Sequence, residues 1–206
     1  GLINAVNLID GVHGLSLGVC MVMSLSFFVV AQRVGDVELA SLGVLLAAAS
    51  FGLMVLNYPF GKIFLGDSGA YLMGLIIAWL MILLAMRHTD LSKWSLLAIA
   101  SWPVMETIFS IVRRKLTRRR ADRPDRMHFH HVVMRGLEII SKSRISRQMS
   151  NPLATLIILP IASIPAILGT LYSQSHQAGV AIFLTSSCLY IFLYTGTVRF
   201  IKKRKF

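Results

Sequence analysis

The chain has 206 residues, of which 15% are charged and 55% apolar, with a mean hydropathy of +0.69 and a net charge of +12. A soluble domain carries about a quarter charged residues, so this composition excludes a water-soluble globular domain and makes lipid the main solvent. The surplus of Lys and Arg does not point to nucleic acid, because no base-stacking or groove-reading element accompanies it.

The chain opens at Gly1 without an initiating Met and with no basic segment before its first apolar run. A fragment of a larger protein, carrying no signal peptide, is expected. Its first motif is Asn4-Ala-Val-Asn7-Leu-Ile-Asp10-Gly11-Val-His13-Gly14. On a helix Asn4, Asn7 and Asp10 share a face, so two amides and a carboxylate meet a polar ligand or supply oxygens to a magnesium ion. The same pattern also reads as a polar helix start followed by turn glycines.

Spans are expected at Leu15–Ala31 and Leu39–Leu56. Between the second and third lies Phe64-Leu65-Gly66-Asp67-Ser68-Gly69. Asp67 is either a helix cap or a second carboxylate for a metal-bound diphosphate. The third span is expected at Gly69–Met86 and the fourth at Trp94–Val112, the latter holding Glu106 behind Trp102 and Pro103. A carboxylate inside a span is a functional candidate by default, and here its expected partner is Arg113 or Arg114.

A long connection then carries Arg123-Pro124-Asp125-Arg126-Met127-His128-Phe129-His130-His131. Without a second Cys or His cluster on the same face, zinc is disfavoured, and the run reads as a cationic, donor-rich lid for phosphate. Val132–Gln148 is a candidate amphipathic interfacial helix. Spans at Leu153–Leu171, with Pro160 and Pro165 expected to kink it, and Ala178–Val198 complete the chain. Both cysteines, Cys20 and Cys188, fall in apolar runs and read as reduced core thiols.

The fold class is therefore all-α, a polytopic transmembrane bundle of about six helices, each close to the roughly 20 residues a bilayer core requires. Residues 1–206 form one membrane domain, with inner loops at 1–14, 57–68 and 113–152 and a basic tail at 199–206. Twelve Lys and Arg lie between Arg113 and Arg147 and five between Arg199 and Lys205. With Lys62 these fall on one side, against Arg33, Arg87 and Lys93 on the other. Loops rich in Lys and Arg stay inside, so all three motifs are expected on the cytoplasmic face of a bacterial inner membrane. Anionic lipid accounts for much of that charge.

The segments NAVNLIDGVHGL, FLGDSGAYLMG and RPDRMHFHHVVMRG, in this order relative to the spans, resemble the signatures of the polyprenyl-phosphate N-acetylhexosamine-1-phosphate transferases, glycosyltransferase family 4. The form of the histidine motif is most similar to the bacterial undecaprenyl-phosphate GlcNAc-1-phosphate branch. The resemblance implies transfer of an N-acetylhexosamine-1-phosphate from a UDP-sugar to undecaprenyl phosphate with release of UMP. That is a first membrane step in cell-wall or lipopolysaccharide O-antigen synthesis. It also implies Mg2+, with Mn2+ as substitute. By the same match Asp67 and Asn7 serve the metal, Asp10 joins their polar cluster, and His128, His130 and His131 act on the sugar phosphate. Asn4, His13, Arg123 and Arg126 line the substrate. Partners are the UDP-sugar, the polyprenyl phosphate and membrane lipids; a homodimer is allowed for, nucleic acid is not.

Two departures stand out. His13 occupies a position where the family carries Asp or Asn near the nucleotide base, and the family's adjacent-aspartate motif is absent, so this chain alone is expected to be inactive. A non-catalytic homologue and a transporter are the competing classes. Internal repeats and spans interrupted at midplane depth would mark a transporter, and neither is clear in the sequence.

Overall fold

The structure is a computed structural model that describes residues 1–116, 127–141 and 144–204. All regular elements among the described residues are helices: α1 (Leu2–Leu8), α2 (Leu15–Arg33), α3 (Val37–Asn57), α4 (Gly66–Arg87), α5 (Lys93–Ile99), α6 (Ser101–Leu116), α7 (Phe129–Ile140), α8 (Arg147–Leu171) and α9 (His176–Lys203). Helices α2, α3, α4, α8 and α9 are long and apolar enough to cross a membrane, and the α5–α6 pair makes a sixth crossing if counted as one span. The all-α, multi-pass membrane architecture expected from composition is thus the one found.

Helix α2 is the most enclosed of the crossings, while α3, α4 and α9 leave most of their surface outside the bundle. The outward side chains are apolar, among them Leu45, Phe51 and Val55 on α3 and Leu72, Leu75 and Trp79 on α4. In lipid a helix satisfies its own backbone and presents apolar side chains in every direction, so such a surface is the natural outside of a membrane bundle. Cys20 and Cys188 are both free; Cys20 is buried as expected, but Cys188 lies on the exposed side of α9 rather than in the core.

Side-chain contacts sort the helix ends into two groups. At one end Asp36 caps α3 through the Leu39 amide and meets Arg87 and His88, at 3.4 and 3.1 Å. The Leu39 amide is the main reason its carboxyl is held below the usual carboxylate range. There too Arg33 donates to the Thr170 carbonyl and Ser95 to that of Tyr172. At the other end the Gly14 amide donates to Asn57 Oδ1 at 2.6 Å and Thr155 donates to the His13 carbonyl at 2.6 Å. Successive crossings therefore alternate, and the first and second motifs share an end.

The fourth expected span differs from a single helix over Trp94–Val112: α5 and α6 meet at 81°. The physical cause is Pro103, which has no amide hydrogen and whose ring crowds the carbonyl four residues back, that of Ile99. Helix α5 ends at Ile99. The expected interfacial helix over Val132–Gln148 is also shifted, since α7 begins at Phe129 and ends at Ile140, and Gln148 already belongs to α8. Helix α8 runs on through Pro152, Pro160 and Pro165.

Candidate active site

The first motif does not form one continuous helix. Helix α1 stops at Leu8, and Asp10 lies in the following turn with its amide bonded to the Asn7 carbonyl at 3.2 Å. Gly14 then takes φ 77°, and a Cβ there would stand 2.9 Å from the Tyr58 ring, so the left-handed turn into α2 requires glycine. The consequence is that Asn7 projects from α1 and Asp10 from the turn, both toward the start of α4. Asn7 Nδ2 reaches Tyr71 Oη at 3.4 Å, which leaves the side-chain oxygen Oδ1 of Asn7 for a ligand. Asn4 is exposed on the same short helix.

Asp67 sits exposed in the first turn of α4. It is near enough to Asp10 for the two carboxylates to repel. Burial, reinforced by the Asp67 charge, pushes the Asp10 carboxyl up to about 6. A carboxylate pair with an amide oxygen beside it is a hard-oxygen donor set. It fits Mg2+, which keeps several waters and is held by one or two carboxylates together with substrate phosphates. Among the described residues no group of three or more His, Cys, Asp or Glu side chains is placed to hold a metal, so a closed protein cage of the zinc type is not present there.

The histidine run packs against the first motif at Gly11, the residue after Asp10. His130 is 2% exposed and stands against Gly11, where a Cβ would fall 2.0 Å from Nε2. Any side chain at 11 would force that imidazole to shift. Neither His130 nitrogen has a partner among the described residues. Burial, then the neighbouring His131 and His128, hold its pKa well below the ordinary histidine value. His130 is thus a neutral imidazole that can accept one hydrogen bond and donate another. The rings of His128 and His130 stack with centroids 5.8 Å apart, and His131 lies 4.2 Å from His130. Asn7 thus reaches Tyr71 one turn beyond Asp67, Asp10 lies near Asp67, and His130 stands against Gly11, the residue after Asp10. Arg123 and Arg126 lie outside the described residues.

His13 is held by its neighbours. Its Nδ1 donates to the Pro59 carbonyl at 2.7 Å, its ring meets Phe64 edge-on, and its amide donates to Asn151 Oδ1 at 2.7 Å. The side chain fastens the α3–α4 connection to the start of α2. Asn57, buried at the end of α3, does the same work by accepting from Gly14 and donating to the Ile63 carbonyl.

Glu106 does not pair with Arg113 or Arg114. Its Oε1 accepts from His128 Nδ1 at 2.8 Å and from the Phe129 amide, and its Oε2 accepts from Tyr190 at 2.7 Å. Arg113 instead donates to the Met127 carbonyl and to Tyr194. Tyr71, Tyr190 and Tyr194 are participants that sequence reasoning missed, although Tyr71 stands one turn after Asp67. Tyr190 and Tyr194 are spaced by one turn on an otherwise apolar face, a pattern that marks two hydroxyls needing partners.

Residues 1–85 match the model of the family described as "Glycosyl transferase family 4". The chain is 33% identical to a probable undecaprenyl-phosphate N-acetylglucosaminyl 1-phosphate transferase of Bacillus subtilis, over 65% of this chain and 38% of that protein. It is 29% identical to the undecaprenyl-phosphate alpha-N-acetylglucosaminyl 1-phosphate transferase of Escherichia coli, over 98% of this chain and 56% of that protein. A decaprenyl-phosphate N-acetylglucosaminephosphotransferase of Mycobacterium tuberculosis is 32% identical over 65% of this chain and 38% of its own length. The chain thus spans about half or less of the length of these curated relatives. No solved structure matches. On the match over residues 1–85 and on these relatives, the chain is similar to glycosyl transferase family 4, the family its three motifs resemble.

Proposed function

We propose that the protein to which this chain belongs transfers an N-acetylhexosamine-1-phosphate from a UDP-sugar to undecaprenyl phosphate and releases UMP. The reading is supported above all by one observation: Asp10 and Asp67 lie near enough to repel while His130, buried and without a protein partner among the described residues, stands against Gly11. The relatives' names supply the reaction class, transfer of an amino-sugar phosphate to a polyprenyl phosphate.

In the proposed reaction an oxygen of the lipid phosphate forms a bond to the sugar-bearing phosphorus of the donor, and the bond from that phosphorus to the oxygen of UMP breaks. Both reactants are anions, so positioning and charge compensation matter more than a strong base. Magnesium, held by Asp67 and the Asn7 oxygen with Asp10 beside them, would supply that compensation by binding the diphosphate. The chain's own residues do the rest. His130, neutral and desolvated, hydrogen-bonds a phosphate oxygen, and His131 presents a further donor from the same turn while His128 stacks on His130. The three motifs lie on the cytoplasmic side of the bacterial inner membrane, where the basic loops belong.

The full-length protein, incubated with UDP-GlcNAc, undecaprenyl phosphate and Mg2+, is expected to release UMP. Asp67→Asn is expected to lower the rate by about 100-fold or more, as loss of a group that offsets transition-state charge does. Release of UMP undiminished in that variant, or none from the wild type with any UDP-N-acetylhexosamine, contradicts the proposal.

A further inference from the structure

Glu106 is a carboxylate 2% exposed within an apolar bundle. Buried carboxylates are retained where each oxygen has a donor, and here every donor comes either from the histidine run or from α9. Oε1 takes the His128 ring and the Phe129 amide, the first backbone N–H of α7; Oε2 takes Tyr190. The bend made by Pro103 places Glu106 in the second turn of α6. Trp102, one residue before that proline, packs edge-on to Phe129 at 5.4 Å and to Tyr190 at 5.2 Å. One turn further along α9, Tyr194 donates to the Met127 carbonyl at 2.9 Å. The root of the histidine run is therefore gripped from two crossings.

A carboxylate has no proton to give, so in this pair Nδ1 of His128 is the nitrogen that carries hydrogen. In the neutral ring Nε2 is then the acceptor, and the ring plane is fixed parallel to that of His130, within 7°. We propose that Glu106, oriented by Tyr190, is a positioning residue: it sets the tautomer and orientation of His128 and locks the start of α7, so that His128 and His130, stacked on each other, are held against the first motif at Gly11 as one preformed unit. A base held by a third group is the general logic of oriented imidazoles. The proposal rests on the transferase reading only for its kinetic test.

Two measurements on the full-length protein decide it. In the UMP-release assay, Glu106→Leu is expected to lower kcat by about 100-fold with the donor KM changed less than about threefold, and Glu106→Gln to restore kcat to within about tenfold of wild type, because an amide oxygen still accepts from His128 and Phe129. In a His128→Ala background, Glu106→Leu is expected to cost less than about threefold more, because its effect runs through His128. Losses that multiply in the double variant overturn the proposal.

Hydrogen exchange, which needs no substrate, separates this test from that of the transferase itself. Tyr190→Phe and Glu106→Leu are each expected to raise exchange at the amides of residues 128–132 while leaving α2 unchanged. Unaltered exchange at Phe129 in both variants overturns the proposal, whether or not the protein releases UMP.

Discussion

Asp10 stores the clearest electrostatic tension in the chain. Its carboxyl is held up to about 6 by burial and by Asp67. The folded protein therefore binds this proton more tightly than the unfolded chain does. That advantage to the fold is complete below about pH 4 and is lost as pH rises through about 6. Asp10→Asn removes the penalty, so thermal unfolding of the ligand-free protein is expected to shift upward at pH 7.5 and not at pH 4. The gain is about 1 kcal/mol once solvent screening is allowed for. A stabilisation equal at both pH values would show that charge is not its source. The same residue is expected to be needed for turnover, which is the usual conflict between a stable fold and a working site.

Much of this residue-level picture is legible in the sequence. Asn7, Asp10, Asp67 and His130 stand out because amides, carboxylates and imidazoles are rare beside apolar runs, and alternation of the spans brings them to one side. The partners of Glu106 and His13 are not legible, for a common reason. Each is chosen by where the chain turns in three dimensions, at Pro103 and at the α3–α4 connection, whereas sequence spacing suggests only neighbours along a helix, such as Arg113 for Glu106.

At the scale of elements, short connections govern the site more than the long helices do. Asn57 is 3% exposed, and its amide bridges the Gly14 amide and the Ile63 carbonyl, joining the first motif to the segment before Asp67. Asn57→Ala leaves a buried donor and acceptor unsatisfied, a loss of about 2 kcal/mol. Thermal unfolding in detergent micelles should fall accordingly, and Asn57→Asp, which keeps only the acceptor for Gly14, should lose less of the Gly14 contact. An Asn57→Ala protein as stable as wild type would mean that the two motifs are held together by packing alone. Helix existence was readable from hydropathy, since five of the six expected spans are long uncharged runs and the fourth holds only Glu106. The break between α5 and α6 was not, because apolar composition continues across Ala100 and only the Pro103 ring interrupts the backbone pattern.

Seen whole, the molecule separates its chemistry by side. One end is tied by Arg33, Asp36, Arg87 and His88. The other carries the carboxylate pair, the histidine run and the larger share of the basic residues. Lys and Arg excess sets which side stays in the cytoplasm, and the soluble nucleotide-sugar of the proposed reaction would be reached from there. The long α9, with 28 residues or about 42 Å, exceeds a hydrocarbon core of about 30 Å. Its last turn, with Lys202 and Lys203, therefore lies among headgroups on the motif side.

Everything rests on three stretches of chain meeting on one face of the membrane. Single cysteines at the exposed positions Asn4, Lys62, Asp90 and Gln174, placed in a background lacking Cys20 and Cys188, can be labelled with an impermeant maleimide in intact and in opened cells. Asn4 and Lys62 are expected to react only after the cells are opened, and Asp90 and Gln174 in intact cells. Labelling of Asn4 and Lys62 from opposite sides would contradict the account.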